Sequence, residues 1–422
     1  MRHEKQVEIL TELLRQIDAK KNIDAGVQMR MATDSYHDPD IARREWSEMF
    51  RGHPQLIGLS GDLPEPGSYF TVDDFGVPVL AVRGRDGRFR AFLNACRHRG
   101  VRVAGEARGK ANAFTCPFHS WTYSNQGDLV AIPQEDQFGP MDKACNSLVA
   151  LPAEEWHGML WIHPQPEGVL DVPGLLGDFA DELAMTDWST LVYSGESVLD
   201  MKLNWKLAND TFGETYHFQK LHKNTLGQIF YGDNLSYETS GRNHRFVFAS
   251  RAIDRIREQP QTDWDVYAVA NVLYYLFPNI QFNVSKRSVS MIKIYPHPDE
   301  PGRSITRVGH YFSPEMIGLL SAPAEGQRVA SAADAYTIDL EEERLTSLEA
   351  IKEVFVSTIE QEDYLMGEST QRAVTSGLLP TVTFGRNEPA LHHYHRTFAD
   401  ALQMPGPEVI AQAASRGGTP VR

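Results

Sequence analysis

The sequence predicts an α+β protein: an all-β domain followed by an antiparallel sheet with helices on one side. Three observations predict it. The chain has 422 residues, enough for two or three domains at roughly 150 residues each. Between Gly67 and about Ile162, short β-rich runs alternate with Gly and Asp turns. Beyond the stretch Pro164-Gln165-Pro166-Glu167-Gly168, strand-like runs recur with helical segments between them, the pattern of a sheet covered by helices.

Each element has a local reason. Val7, Leu10, Leu13, Leu14 and Ile17 fall three and four residues apart, one apolar stripe on a helix within residues 1–22. A charged helix is expected over about 41–50, ending before Gly52. Strands are expected over 69–72, 77–82 and 88–94, the last two joined by the hairpin turn Gly84-Arg85-Asp86-Gly87. Pro fixes φ and lacks an N–H, so the Pro-rich stretch at 164–168 reads as a domain boundary. After it, strands are expected over 197–205, 245–250, 272–284, 289–295 and 305–312, with a helix over about 205–218. Residues 340–373 are charged and periodic in Leu, Ile and Val, hence a helix; 321–335 read as a loop and 412–422 as a frayed tail. No repeat of fixed period is present.

Composition narrows the function. With 41 Lys+Arg against 56 Asp+Glu the net charge is −15, which argues against nucleic-acid binding, since phosphate contacts need a basic surface. Three cysteines exclude a disulfide scaffold and favour a reducing compartment. The charged N-terminus has no apolar signal region, and the longest apolar stretch, near 271–282, is interrupted by Pro278 and too short to span a bilayer. A soluble cytoplasmic protein is the expectation.

Two constellations carry chemistry. The first is Cys96-Arg97-His98, then, seventeen residues after His98, Cys116-Pro117-Phe118-His119. Two Cys and two His could bind zinc or a [2Fe–2S] cluster with two Cys on one iron and two His on the other. Cys-x-His is too tight for a typical zinc-finger pair, and Cys-x-His-x17-Cys-x2-His is the spacing of a Rieske site. Cys145 has no His nearby and reads as a small buried hydrophobe. The second constellation is Glu214, His217 and His222. On a helix, Glu214 and His217 share a face. Two His near a helix end, with a carboxylate from elsewhere, make the 2-His-1-carboxylate triad of non-haem Fe(II) oxygenases. Alone the box is weak; beside a Rieske motif it gains force, because one domain would supply electrons and the other use them.

In these motifs, and in the Asn204-Trp205-Lys206 lead-in, the chain resembles the α subunit of Rieske non-haem iron ring-hydroxylating oxygenases, the family that includes naphthalene dioxygenase. Two departures stand out: Glu214 where the family usually has Asp, and Asn209-Asp210 where it often has Glu-Asn. The resemblance implies a helical segment over 1–40 packing on the catalytic domain, a Rieske domain over 41–165, a helix-grip mononuclear-iron domain over 166–410 and a tail over 411–422. It implies that Asp363, in Glu360-Gln361-Glu362-Asp363 with Gln371 following, is the carboxylate ligand beside His217 and His222, and that Glu214 bridges electrons to a Rieske His of a neighbouring chain. Asp210, Phe218, Leu221 and Leu226 are candidates for the substrate pocket. His392, His393 and His395 are expected to pack or face solvent. The implied partners are O2, a small-molecule substrate, a reductase drawing on NAD(P)H with or without a ferredoxin, and a homotrimer with or without a small β subunit. The implied activity is dihydroxylation or hydroxylation of an aromatic or cyclic molecule. Rieske monooxygenation, by hydroxylation or oxidative N- or O-demethylation, is the alternative. A bare electron carrier would need neither the second domain nor its iron site.

Overall fold

The computed structural model describes residues 1–320 and 347–412; the expected loop at 321–335, the start of the 340–373 helix and all but the first residue of the expected 412–422 tail lie outside them. By internal contacts the chain forms two units, one of residues 43–195 with 311–314, the other of 1–42, 196–310 and 315–422. Among the described residues no helix is long and apolar enough to cross a membrane.

The first unit is built from small antiparallel sheets. Five strands run in the order Ala150–Leu151, Phe89–Leu93, Val79–Arg83, Ser68–Val72, Arg108–Lys110, and two further sheets have three strands each. The hairpin between Arg83 and Phe89 closes on Gly87, whose φ of 76° needs a residue without a Cβ, and Arg90 fixes the turn by forking onto Asp86. Leu80, Val82, Phe92, Phe114, Trp121 and Tyr123 form a core that also buries Cys96 and Cys116. The Pro164–Gly168 stretch, read above as a boundary, lies inside this unit, which continues through the short helix Val172–Leu176, capped by Asp171, to Gly195.

The second unit centres on a seven-stranded sheet in the order Val192–Met201, Ser304–Phe312, Ser288–Pro296, Ile280–Val284, Ala270–Leu276, Asn243–Ala249, Ser236–Ser240. The single strand expected over 272–284 is two, because the Phe277-Pro278-Asn279 turn folds it into a hairpin pairing Leu276 with Ile280; Pro cannot donate to a central ladder. The strand expected to run to Trp205 stops at Met201, since Asn204 caps a helix there by accepting from Lys206 N–H. That helix, Trp205–Asp210, is shorter than the expected 205–218. Its end is fixed by tertiary contacts: Asn209 and Asp210 are held by Gln281, Tyr36 and His395, and a Cβ at Gly213 would meet Leu391 and Tyr394 at 2.7 and 2.8 Å. Thr211 and Gly213 are also weak helix formers. The first helix, His3–Ala19, buries Ile9, Leu10 and Leu13 and clamps Leu235 through both amide atoms of Gln16.

Candidate iron and iron–sulfur sites

Two loops of the first unit carry the four Rieske-type residues, and they share one hydrogen-bond pattern. In each, the Cys N–H bonds to the carbonyl five residues on (Cys96 to Val101, Cys116 to Trp121, both 2.8 Å), and the residue four after the Cys bonds back to the Cys carbonyl (Gly100, 2.8 Å; Ser120, 2.9 Å). That fourth residue is left-handed in both loops, with φ of 78° at Gly100 and 58° at Ser120. The two cysteines are buried and free. The His98 and His119 rings lie 4.5 Å apart, His98 stacks on Trp121, and Phe118 and Phe138 flank the pair. His119 Nδ1 is buried without a hydrogen-bond partner, as a nitrogen reserved for a metal would be. Burial, His119 and Arg99 hold His98 below its ordinary pKa, in the neutral form a ligand needs. Tyr123 OH accepts from Arg97 N–H and lies 3.3 Å from Cys96 Sγ. Burial and Cys96 push the Tyr123 hydroxyl up, so it stays protonated and can donate to the sulfur. The donor set, two thiols and two imidazoles on paired tight loops, fits a [2Fe–2S] cluster.

The second site is assembled from two distant segments. Glu214, His217 and His222 sit on irregular turns after the Trp205–Asp210 helix, which corrects the expectation that Glu214 and His217 share a helical turn. Asp363 comes from the widened π-helical turn Ile359–Tyr364, a local geometry frequent at functional sites. One oxygen, Asp363 Oδ1, lies 3.3 Å from His217 Nε2 and 3.2 Å from His222 Nε2. Cis ligands about 2.1 Å from one ion are about 3 Å from one another, so the three atoms fit one metal. Among the described residues His217, His222 and Asp363 form such a group, with ligand atoms within 4.8 Å of one another. His217 Nε2 is buried and has no aligned hydrogen bond. Without a metal, burial opposes charge on His217, but Asp363 and Glu214 overcome it and raise its pKa to about 10. Burial likewise opposes charge on Asp363, and the two imidazoles beside it hold its carboxyl below the usual range.

Both outer ring nitrogens are bound by carboxylates. His217 Nδ1 donates to Glu214 Oε1, while Glu214 Oε2 takes the His217 backbone N–H at 3.1 Å. His222 Nδ1 donates to Glu362 Oε2 at 2.6 Å. Phe218 packs edge-on to both imidazoles and to Phe248. Asp210 has its oxygens on Tyr36 OH and His395 Nε2. Leu226 is half-buried at the start of Leu226–Ile229, and Leu221 is half-buried beside His222. Gln371 ties Asn204 N–H to the Tyr36 carbonyl. His392 and His395 are buried and His393 faces His244. Cys145 is exposed and donates to Asp142, which corrects its expected burial. Motif reading placed Glu362 on a solvated helix face beside Asp363 and did not find Tyr123 or Thr225; the partners of all three come from other segments.

Residues 188–404 match the family "Ring hydroxylating alpha subunit (catalytic domain)" and residues 53–151 the "Rieske [2Fe-2S] domain". Among curated proteins the chain is similar to the glycine betaine monooxygenase oxygenase subunit of Chromohalobacter salexigens, 29% identical over 54% of this chain and 51% of that one. It is also similar to the benzene 1,2-dioxygenase subunit alpha of Pseudomonas putida, 33% identical over 43% of this chain and 42% of that one. The carnitine monooxygenase oxygenase subunit of Acinetobacter baumannii is 27% identical over 67% of this chain and 75% of that one. The matches thus span about half the length of the first two relatives. Among solved structures, a quaternary ammonium Rieske monooxygenase superposes with TM-score 0.72 at 21% identity, over 90% of this chain and 97% of that one. Naphthalene 1,2-dioxygenase of a Rhodococcus species superposes with TM-score 0.66 at 18% identity, over 93% and 97%.

Proposed function

We propose, from the premise that this chain belongs to the ring-hydroxylating α-subunit family of Rieske oxygenases, that it is a terminal oxygenase component. It uses O2 and electrons from a separate reductase to dihydroxylate or hydroxylate an aromatic or cyclic small molecule. One observation carries the reading: three ligand atoms, from buried His222 and from the largely enclosed His217 and Asp363, converge on one point in a chain that also holds a Rieske-type Cys/His set.

In this reading Cys96, His98, Cys116 and His119 hold the [2Fe–2S] cluster, and His217, His222 and Asp363 hold Fe(II). When bound, the cluster supplies single electrons and the Fe(II) supplies O2 activation. The chain's own groups do the rest. Glu214 accepts the outer N–H of His217 and fixes that ring with its inner nitrogen free for the metal. It also joins His217 to a cluster histidine, His98 or His119, of a neighbouring copy in a homotrimer. Phe218, packed against both ligand rings, keeps water from them, and Leu226 and Asp210 border the substrate's approach. The electron-accepting domain is assigned by resemblance to residues 41–165 and the iron domain to 166–410, with 1–40 and 411–422 as flanking segments, although residues 166–195 group with the first unit and 1–42 with the second. The protein works in the cytoplasm with a reductase, with or without a ferredoxin and a small β subunit.

The similarity to glycine betaine and carnitine monooxygenase subunits favours a second reading, monooxygenation of a heteroatom-bearing substrate with oxidative demethylation. Two measurements test the function. Purified protein should contain about three iron atoms per chain, two in the cluster and one mononuclear; two alone would make it a carrier. Turnover under labelled O2 separates the readings, since a dioxygenase places both atoms in one product and a monooxygenase places one.

A further inference from the structure

Glu362 and Asp363 are consecutive residues on the turn Ile359–Tyr364, and they hold opposite nitrogens of one imidazole. Asp363 Oδ1 is 3.2 Å from His222 Nε2, and Glu362 Oε2 is 2.6 Å from His222 Nδ1. Side chains one residue apart on a regular helix diverge by about 100°, so gripping one ring takes the widened turn and the longer Glu arm. Thr225 Oγ1, three residues past His222, donates to the same Glu362 oxygen at 2.9 Å. His222 is 1% exposed, so protein groups and not solvent set its orientation.

An ionised carboxylate only accepts hydrogen bonds. Nδ1 of His222 therefore carries the proton, and Nε2 presents its lone pair toward the Asp363 side, where a metal would sit. We propose that Glu362, braced by Thr225, is a positioning residue for the iron: it fixes the tautomer and ring plane of His222 and makes Nε2 a stronger donor. Glu214 has the equivalent relation to His217, but from three residues away in sequence, whereas Glu362 lies 140 residues from His222. One turn of helix therefore supplies the carboxylate ligand and also aligns the second histidine. The inference rests on the reading of His217, His222 and Asp363 as the iron ligands.

The test uses the full chain with its cluster, as wild type and as Glu362→Ala, Glu362→Gln and Thr225→Val. Fe(II) affinity is read by chelator competition, and ligand geometry by EPR of the nitric oxide adduct with the cluster oxidised and EPR-silent. Glu362→Ala is expected to weaken Fe(II) binding about 10- to 100-fold and to change the shape of the nitrosyl signal, with cluster absorbance unchanged. Glu362→Gln keeps an acceptor and loses the charge, so it should weaken binding by a smaller factor, about threefold or more. Thr225→Val should weaken it in the same direction. Wild-type affinity and an unchanged nitrosyl spectrum in Glu362→Ala overturn the proposal. If that variant does not assemble its cluster, wild-type affinity in Glu362→Gln overturns it. A wild-type chain that takes up no mononuclear iron overturns the reading of the site instead.

Discussion

Asp363 keeps its charge in a place that disfavours charge, because two imidazoles face one of its oxygens. Asp363→Ala should therefore lose the mononuclear iron and retain the cluster, read by metal analysis and cluster absorbance. If Glu360→Ala has that effect and Asp363→Ala does not, the ligand assignment is wrong. Glu214→Gln should keep both metal centres yet slow reoxidation of a pre-reduced cluster in single-turnover experiments; reoxidation at the wild-type rate rules the bridge out. At the cluster, Tyr123→Phe removes a donor to Cys96 sulfur. The reduced cluster carries the extra negative charge, so its potential should fall by tens of millivolts, the one-electron equivalent of about 1 kcal/mol. A potentiometric titration that finds no fall would confine the Tyr123 hydroxyl to its bond from Arg97 N–H. The Cys/His set was legible in sequence because all four residues sit on two local loops. Glu362 and Tyr123 were not, because their roles depend on contacts from another segment. Cys145 was misjudged because a lone cysteine carries no sequence signal separating a buried thiol from one held by Asp142.

Among elements, the strands were the more legible: most expected runs reappear within a residue or two, since alternation and flanking Gly or Pro mark them. The Trp205–Asp210 helix was overextended because its stop is tertiary. Asp210 accepts from Tyr36 OH at 2.6 Å and pairs with His395 Nε2 at 2.8 Å, and Tyr36 and His395 are 1% and 3% exposed. Nothing in local sequence announces those partners. Removing the carboxylate leaves Tyr36 OH and His395 Nε2 with only their long 3.4 Å contact to each other, a cost of about 1–3 kcal/mol. Asp210→Ala should thus lower the melting temperature clearly, and Tyr36→Phe in that background should cost less than it does alone. Additive costs in such a double-mutant cycle would mean that Tyr36 and Asp210 do not act together.

For the whole molecule, the net charge of −15 bears on solubility and partners, not on fold; acid stability is set by buried groups. His310, on the strand Ser304–Phe312 and 2% exposed, is held down to about 4 by burial and by Lys352, against the opposing pull of Glu349 and Glu196. Its ring packs edge-on to Phe355 and its Nε2 has no hydrogen-bond partner. The unfolded chain titrates this histidine near 6.5. Between those values the unfolded state binds the proton and the folded state does not, so stability falls as pH drops. The contribution is complete above about pH 6.5 and lost as pH falls through about 4, a swing of about 3 kcal/mol in all. His310→Leu removes the titrating group while keeping a side chain beside Phe355. Denaturant unfolding at pH 7.5 and pH 5 should show wild type losing more stability than the variant on acidification, by about 2 kcal/mol. Other groups, Asp363 among them, also lose stabilising charge in acid, but they titrate alike in both proteins and cancel in the difference. Parallel losses in wild type and variant would show that His310 is not the histidine that sets acid stability.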